Sequence, residues 1–316
     1  MKSNFNKTVY IVNAFTHNDM GGNKAGVVID CDDLSSNDMA AIAKEVNLSE
    51  TAFVIKSKCD DYDYEVRFFT PSTEVDLCGH ATIATFYTLG KLGFIKPSTS
   101  PVKLKQKTLA GILDIEIYFY NEKIAYVLMT QTNPKFYSYI DDVKELCDIL
   151  GITLEDTGIQ GHTLKPMIIS TGLKDIMFPV KSLNALKKIN PDFQGLKEYT
   201  DNLNLVGLHA FSLETENSKS TVATRNFGPS VGIDEESATG TSNGALCAYI
   251  MKHNILDFKD KLTICCEQGY YMNNPSEIIC TGEAINNDYL IKVGGIGSIE
   301  KTIEVTYKYE MVPMSR

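Results

Sequence analysis

Two runs of residues without any charged side chain constrain the fold of this chain more than any other feature. The first run, Ala81–Leu89, follows Phe69-Thr70-Pro71 and an acidic turn. The second, Ser242–Met251, follows Phe227-Gly228-Pro229 and another acidic turn. Because a helix that is apolar or small on all sides has to be buried, each run predicts a helix enclosed by other elements. The same order of strand end, turn and helix thus occurs twice, as an internal repeat.

Segments rich in β-branched and aromatic residues fill most of the remaining chain and predict strands. Strands that wrap each helix as a closed or nearly closed barrel would bury it and remove exposed sheet edges. The sequence therefore predicts an α+β fold of two pseudo-symmetric domains, each a mostly antiparallel β-barrel around a central buried helix, at 80–90 and 241–252. The first domain is predicted at 1–130 with a C-terminal strand at about 296–316, and the second at 131–295. The crossing is predicted at Gln131–Ser138, where Asn133-Pro134 interrupts the pattern.

The charge balance argues against several classes of partner. Lys and Arg number 30 and Asp and Glu 40, which gives a net charge of −10. An excess of negative charge argues against binding to nucleic acid or to an anionic membrane surface. The N-terminal stretch lacks the apolar core of a signal peptide, and no run reaches the roughly 18 apolar residues of a membrane span. A cytoplasmic location is expected.

Cysteine and histidine are spaced without a local ligand or disulfide pattern. The eight cysteines are scattered, and no C-x-x-C occurs among them. The five histidines are far apart in sequence. A disulfide framework and a local metal motif are therefore not indicated.

The starts of the two buried helices are candidate binding sites. The first N–H groups of a helix have no partner within the helix, and the helix dipole favours an anion there. A substrate carboxylate could accept from these groups. Alternatively, the side chains of Asp76 and Glu236 could cap the two helices, with no ligand involved.

Seven short motifs, in chain order, resemble those of the phenazine-biosynthesis PhzF-like family in the diaminopimelate epimerase-like superfamily. The resemblance extends from about residue 8 to the C-terminus and rests on Val12-Asn13-Ala14-Phe15-Thr16, Gly22-Asn23-Lys24-Ala25-Gly26-Val27, Asn47-Leu48-Ser49-Glu50-Thr51-Ala52-Phe53-Val54, Phe69-Thr70-Pro71, Cys78-Gly79-His80-Ala81-Thr82, Ala238-Thr239-Gly240-Thr241-Ser242-Asn243-Gly244 and Gln268-Gly269. It implies two similar barrel domains with an active site between them. It also implies an isomerase that uses no cofactor or metal, with a homodimer as a possible assembly.

The resemblance also implies roles for individual residues. Glu50 is expected to be the general acid/base, with His80 and Glu236 as further catalytic residues that orient the substrate. Glu236 stands where the family usually has Asp, and the longer side chain shifts its carboxylate by roughly the length of one C–C bond, about 1.5 Å. The expected substrate-binding residues are Asn23, Gly79, His80, Gly240 and Thr241.

The expected reaction is movement of a proton between two carbons of a small conjugated carboxylate. Glu50 would remove and return the proton, and enclosure would raise the pKa of Glu50 by desolvation. Without the resemblance, Glu50 would be interpreted as an exposed charge at the beginning of a strand.

Two alternatives remain open from the residues. Epimerases and racemases of the superfamily use two cysteines, one at each helix start. Here Cys78 occupies the first position, but Thr239 occupies the second. Cys78 could act as a base with Thr239 in a racemase-like or dehydratase-like enzyme acting on an amino or hydroxy acid, or it could be a small buried residue. The second alternative is a protein that binds a small molecule and performs no chemistry.

Overall fold

The computed structural model describes residues 3–286 and 288–309, so the end of the predicted C-terminal strand, 310–316, lies outside the described residues. The chain divides into two compact units. The first comprises the residues up to 14, together with 23–129 and those from 296. The second comprises 15–22 and 130–295.

The first unit contains one sheet and two helices. Its elements are β1 (Ser3–Ala14), β2 (Asn23–Val28), α1 (Ser36–Val46), β3 (Thr51–Lys56), β4 (Tyr64–Phe69), β5 (Glu74–Val75), α2 (Gly79–Lys91), β6 (Val102–Thr108), β7 (Gly111–Tyr120), β8 (Lys123–Thr130) and the C-terminal β18 (Gly297–Tyr309). The strands pair in the order β18, β1, β2, β3, β4, β6, β7, β8. Two pairs, β2 with β3 and β4 with β6, are parallel, and the others are antiparallel.

The second unit repeats this arrangement. Its elements are β9 (Lys135–Tyr139), α3 (Val143–Leu150), β10 (Met167–Ser170), β11 (Lys174–Pro179), α4 (Leu183–Lys188), α5 (Phe193–Asn202), β12 (Gly207–Ser212), β13 (Val222–Gly228), β14 (Ile233–Glu236), α6 (Gly240–Lys252), β15 (Lys261–Gln268), β16 (Ser276–Ile285) and β17 (Asp288–Gly295). The pairing order is β9, β10, β11, β12, β13, β15, β16, β17, and again the third and fifth pairs are parallel. The repeat seen in the sequence is therefore a repeat of strand topology.

Each sheet curves around one buried helix. Every residue of α2 from Ala81 to Leu89 is buried, and so is every residue of α6 from Ser242 to Met251. Helix α2 packs against β1, β2, β3, β7 and β18, and α6 packs against β10, β11, β12, β15, β16 and β17. The predicted α+β fold and the predicted burial of both helices are confirmed.

Residues 15–22 belong to the second unit, although the sequence places them with the first domain. The backbone explains this difference. The carbonyl of Phe15 accepts from the N–H of Glu277 at 2.9 Å. The carbonyl of Gly22 accepts from Ser237 Oγ at 3.0 Å and from Asn274 Nδ2 at 2.9 Å. These partners are distant in sequence, so nothing within residues 15–22 indicates that the segment belongs to the second unit.

The segment Gln131–Ser138, predicted as an irregular crossing, is irregular only in its first half. Residues Lys135–Tyr139 form β9, which pairs antiparallel with β10. All five side chains of β9 are exposed or half-buried. The strand therefore lacks the apolar alternation by which strands are recognised in a sequence. Among the helices of the described residues, none combines the length and apolarity needed to cross a bilayer.

Candidate active site

Glu50, Cys78 and His80 lie together in the first unit. His80 Nε2 is 3.2 Å from Glu50 Oε2. Cys78 Sγ is 3.5 Å from Nδ1 and 3.9 Å from Nε2 of the same imidazole. One atom from each of the three side chains can be chosen so that all lie within 4.8 Å of one another. The sequence-predicted acid/base, the histidine predicted to orient the substrate and the possible thiol thus form one cluster.

Backbone contacts position the three residues. Glu50 directly precedes β3, and its carbonyl accepts a hydrogen bond from Gly26 N–H of β2 at 3.0 Å. Cys78 is the Ncap residue of α2 and has an extended backbone, with φ −138°. His80 follows in the first turn of the helix. The cluster therefore forms where β3 begins and α2 begins.

The cluster contains a charge pair between Glu50 and His80. Burial disfavours both charges, but the ion pair outweighs it, so the pKa of Glu50 lies below its usual value. Burial likewise opposes protonation of His80, but contacts with Cys78 and Glu50 raise its pKa well above the usual value. Glu50 Oε2 is buried, and its close charged neighbour is His80 Nε2, at 3.2 Å. Burial acts on the pKa of Glu50 in the expected direction, but the contacts with His80, Ser49 and Cys78 together outweigh it, so the net shift is downward.

Helix α2 begins without a side-chain cap. The side chain of its Ncap residue, Cys78, makes no hydrogen bond to the first turn. Asp76, which could have supplied the cap, is exposed. A Cβ built on Gly79 would meet Met129 Cε at 3.8 Å, which is an ordinary contact. Neither packing nor a positive φ therefore requires glycine at this position.

In the second unit, the start of α6 is likewise not capped by its Ncap side chain, Thr239. The Thr239 hydroxyl instead donates to Glu236 Oε2 at 2.7 Å. Gln268 fastens this turn: its Nε2 donates to the carbonyl of Glu236 at 2.7 Å and to Thr239 Oγ1 at 3.0 Å. Its Oε1 accepts from Thr239 N–H at 3.2 Å and from Asn243 Nδ2 at 2.8 Å.

A buried polar network contacts the first turn of α6. Ser242 Oγ donates to Asp175 and accepts from Asn226 Nδ2 at 3.2 Å. His209 lies 3.2 Å from Asn226 Nδ2 and 3.3 Å from Asn243 Oδ1. Burial raises the pKa of Asp175 to about 6 and lowers that of His209 to about 4. The network fixes the helix start, which the sequence singled out for its backbone N–H groups.

The sequence-predicted residues fall into two groups. Asn23, Glu50, Cys78, Gly79 and His80 belong to the first unit, and Asn23 is the first residue of β2. The second unit contains Glu236, at the end of β14, and Gly240 and Thr241, the first two residues of α6.

Gln268 was not assigned a role from the sequence, although the motif Gln268-Gly269 contributed to the family resemblance. The structure gives both residues one. Gln268 holds the start of α6, and Gly269 has φ +78°. A Cβ on Gly269 would lie 2.3 Å from the carbonyl oxygen of Asn274, so the position requires glycine. The Gln268-Gly269 motif is therefore the sequence signal from which these two roles could have been predicted.

Comparison with known proteins assigns the chain to a family. The family model described as phenazine biosynthesis-like protein matches residues 12–301. An uncharacterized isomerase of Clostridium acetobutylicum is 33% identical over 94% of this chain and 92% of that protein. Trans-2,3-dihydro-3-hydroxyanthranilate isomerase of Pseudomonas aeruginosa is 26% identical over 91% of this chain and 95% of its own. The crystal structure of a PhzF-family protein of Bacillus anthracis superposes with a TM-score of 0.83 at 29% identity, covering 95% of this chain and 99% of that chain.

Proposed function

Since this chain belongs to the family of phenazine biosynthesis-like, PhzF-type proteins and is an isomerase, we propose that it moves a proton between two carbons of a small carboxylate, with Glu50 as acid and base. No cofactor takes part in the proposed reaction. Glu50 removes the proton from one carbon of a conjugated system and returns it to another. The product is thus an isomer, with no net change in atoms or charge.

The observation that carries this proposal is the state of Glu50 Oε2. This oxygen is buried, and its close polar neighbour is His80 Nε2, at 3.2 Å. Because a carboxylate oxygen has two acceptor directions, His80 can fill only one of them. A carboxylate oxygen with a free lone pair, screened from water, is what a base that abstracts a proton from carbon needs.

In the proposed reaction, the His80 imidazole is the positively charged neighbour of the Glu50 carboxylate. Contacts with Cys78 and Glu50 raise the pKa of His80, which favours a protonated imidazole beside the Glu50 carboxylate. A substrate carboxylate bound near His80 would share that positive charge and weaken its hold on Glu50. The pKa of Glu50 would then rise towards the value that burial alone favours, and Glu50 would become a stronger base as the substrate binds.

The uncapped start of α2 is the proposed site for the substrate carboxylate. The first N–H groups of α2 receive no hydrogen bond from the Ncap side chain, and the helix dipole favours an anion there. Gly240 and Thr241 offer equivalent groups at the start of α6. Together with Asn23 and Glu236, they are proposed as contacts for polar groups of the substrate. The Thr239 hydroxyl holds the longer side chain of Glu236 in place.

Solvent-deuterium incorporation tests the function directly. The protein is incubated in D₂O with a panel of small unsaturated carboxylates and their saturated counterparts. Trans-2,3-dihydro-3-hydroxyanthranilate, the compound in the name of the Pseudomonas relative, is included in the panel. We expect deuterium at carbon, together with a shifted double bond, only in unsaturated members. Binding without exchange or isomerisation across the panel would favour a non-catalytic binding protein.

A second candidate function rests on the contact between Cys78 and His80. A thiol 3.5 Å from an imidazole nitrogen is a possible base in a racemase-like or dehydratase-like reaction. Under our proposal, Cys78→Ala retains turnover and deuterium exchange within about tenfold, because Glu50 moves the proton. If Cys78→Ala instead lost orders of magnitude while Glu50→Gln stayed active, the thiol would be the base.

A further inference from the structure

We propose that Glu50, Cys78 and His80 form a binding site for a zinc-type divalent metal ion, and that occupation of this site inhibits the enzyme. The three residues supply a carboxylate, a thiolate and an imidazole, and each of these is an established zinc ligand. Among the described residues, no other group of three His, Cys, Asp or Glu side chains has its ligand atoms this close together.

The two distances from His80 are close to those of a tetrahedral site. With metal–ligand bonds of about 2.0–2.3 Å, neighbouring ligand atoms stand roughly 3.3–3.6 Å apart. His80 Nε2 is 3.2 Å from Glu50 Oε2 and 3.9 Å from Cys78 Sγ. All three ligand atoms lie within 4.8 Å of one another, so side-chain shifts of about an ångström would place them around one ion, with a fourth position open to water.

The orientation of Glu50 also favours a cation. Its buried Oε2 has two acceptor directions, of which His80 can fill only one, so the carboxylate can also bind a metal ion. The side chains of His80 and Glu50 are 12% and 21% exposed, so the site is screened but reachable. The thiolate and imidazole favour Zn²⁺, Co²⁺ or Ni²⁺ over Mg²⁺ and Ca²⁺, which prefer oxygen ligands.

Coordination displaces protons and blocks the proposed base. The Cys78 thiol loses its proton as the metal–sulfur bond forms, and a protonated His80 nitrogen loses one as well; both protons pass to the buffer. Glu50 Oε2 then donates its lone pair to the metal and is no longer available to a substrate proton. Metal binding is independent of the reaction, whereas the inhibition rests on the proposed function.

Titration with Co²⁺ under anaerobic conditions tests the binding without substrate. We expect one equivalent to produce a thiolate-to-cobalt charge-transfer band and the visible bands of a tetrahedral ion, both displaced by Zn²⁺. Cys78→Ser is expected to lose the charge-transfer band and to weaken Zn²⁺ binding by more than the roughly 10–100-fold that follows loss of an outer-shell partner. Cys59→Ser, which removes an exposed cysteine outside the cluster, is the matched control and is expected to retain both.

The results separate the two proposals. A wild-type titration without a thiolate band, or an unchanged band in Cys78→Ser, would overturn the metal site and leave the isomerase proposal intact. An isomerase that is active after chelation and inhibited by one equivalent of Zn²⁺ is the expected outcome. Binding of the metal with an undiminished rate would contradict the proposed inhibition.

Discussion

Turnover of the Glu50→Gln variant is expected to fall by roughly 10²–10⁴-fold, the range that a positioned acid/base supplies. The amide keeps the size and shape of the side chain but accepts no proton at neutral pH. Both isomerisation and deuterium incorporation should be lost together, because one group performs both proton transfers. Substrate affinity should change much less, since the proposed carboxylate site at the start of α2 does not include the Glu50 side chain.

Glu45→Gln is the matched control for this variant. Glu45 is exposed and lies on α1 in the same unit, so the same chemical change there should leave both rates unaltered. Steady-state rates, deuterium content by mass spectrometry and a thermal unfolding curve would be measured for both variants. If Glu50→Gln were folded and kept wild-type turnover, Glu50 would have no part in the chemistry.

The elements that the sequence predicts correctly are those whose signals lie in residues within the element or next to it. The absence of charge from Ala81–Leu89 and Ser242–Met251 predicts two buried helices, and both exist. The capping box of Ser35 and Asp38 at the start of α1 is a local signal of the same kind. In each case the decisive information lies within about one or two turns of the element itself.

The features that sequence reasoning missed depend on partners far along the chain. Strand β9 is defined by pairing with β10, because its own side chains are exposed or half-buried. The lowered pKa of Glu50 depends on His80, thirty positions further on, since burial alone would have raised it. Which of these opposing effects is larger depends on a distance of 3.2 Å that no local pattern records.

The internal repeat extends further than the sequence showed, to a pair of arginine forks. Arg67 makes two hydrogen bonds to Glu74, both of 2.7 Å, and its guanidinium lies over the ring of Phe69. Arg225 makes two to Glu235, of 2.9 and 2.8 Å, and lies over the ring of Phe227. Each fork joins a longer strand, β4 or β13, to the short strand that precedes the buried helix, β5 or β14. The two forks differ mainly in burial, which makes them a natural comparison.

Replacing Arg225 with Met is expected to destabilise the protein by about 3–5 kcal/mol, the cost of breaking one partner out of a buried ion pair. The side chains of Arg225 and Glu235 are 9% and 15% exposed. Arg225 Nη1 also donates to the carbonyls of Leu186 and Ile189, at 3.2 and 2.6 Å. The variant therefore leaves a carboxylate and two carbonyl groups without this donor.

Arg67→Met serves as the internal control, and its expected cost is about 1 kcal/mol or less. Its pair with Glu74 is 20% and 22% exposed, so water can solvate the carboxylate that remains. Urea unfolding of the full chain, followed by circular dichroism, gives the change in unfolding free energy for each variant. Equal losses would show that burial does not set the difference between the forks. A larger loss of unfolding free energy for Arg67→Met than for Arg225→Met would contradict the prediction. Solvation of the remaining carboxylate would then not be the dominant effect.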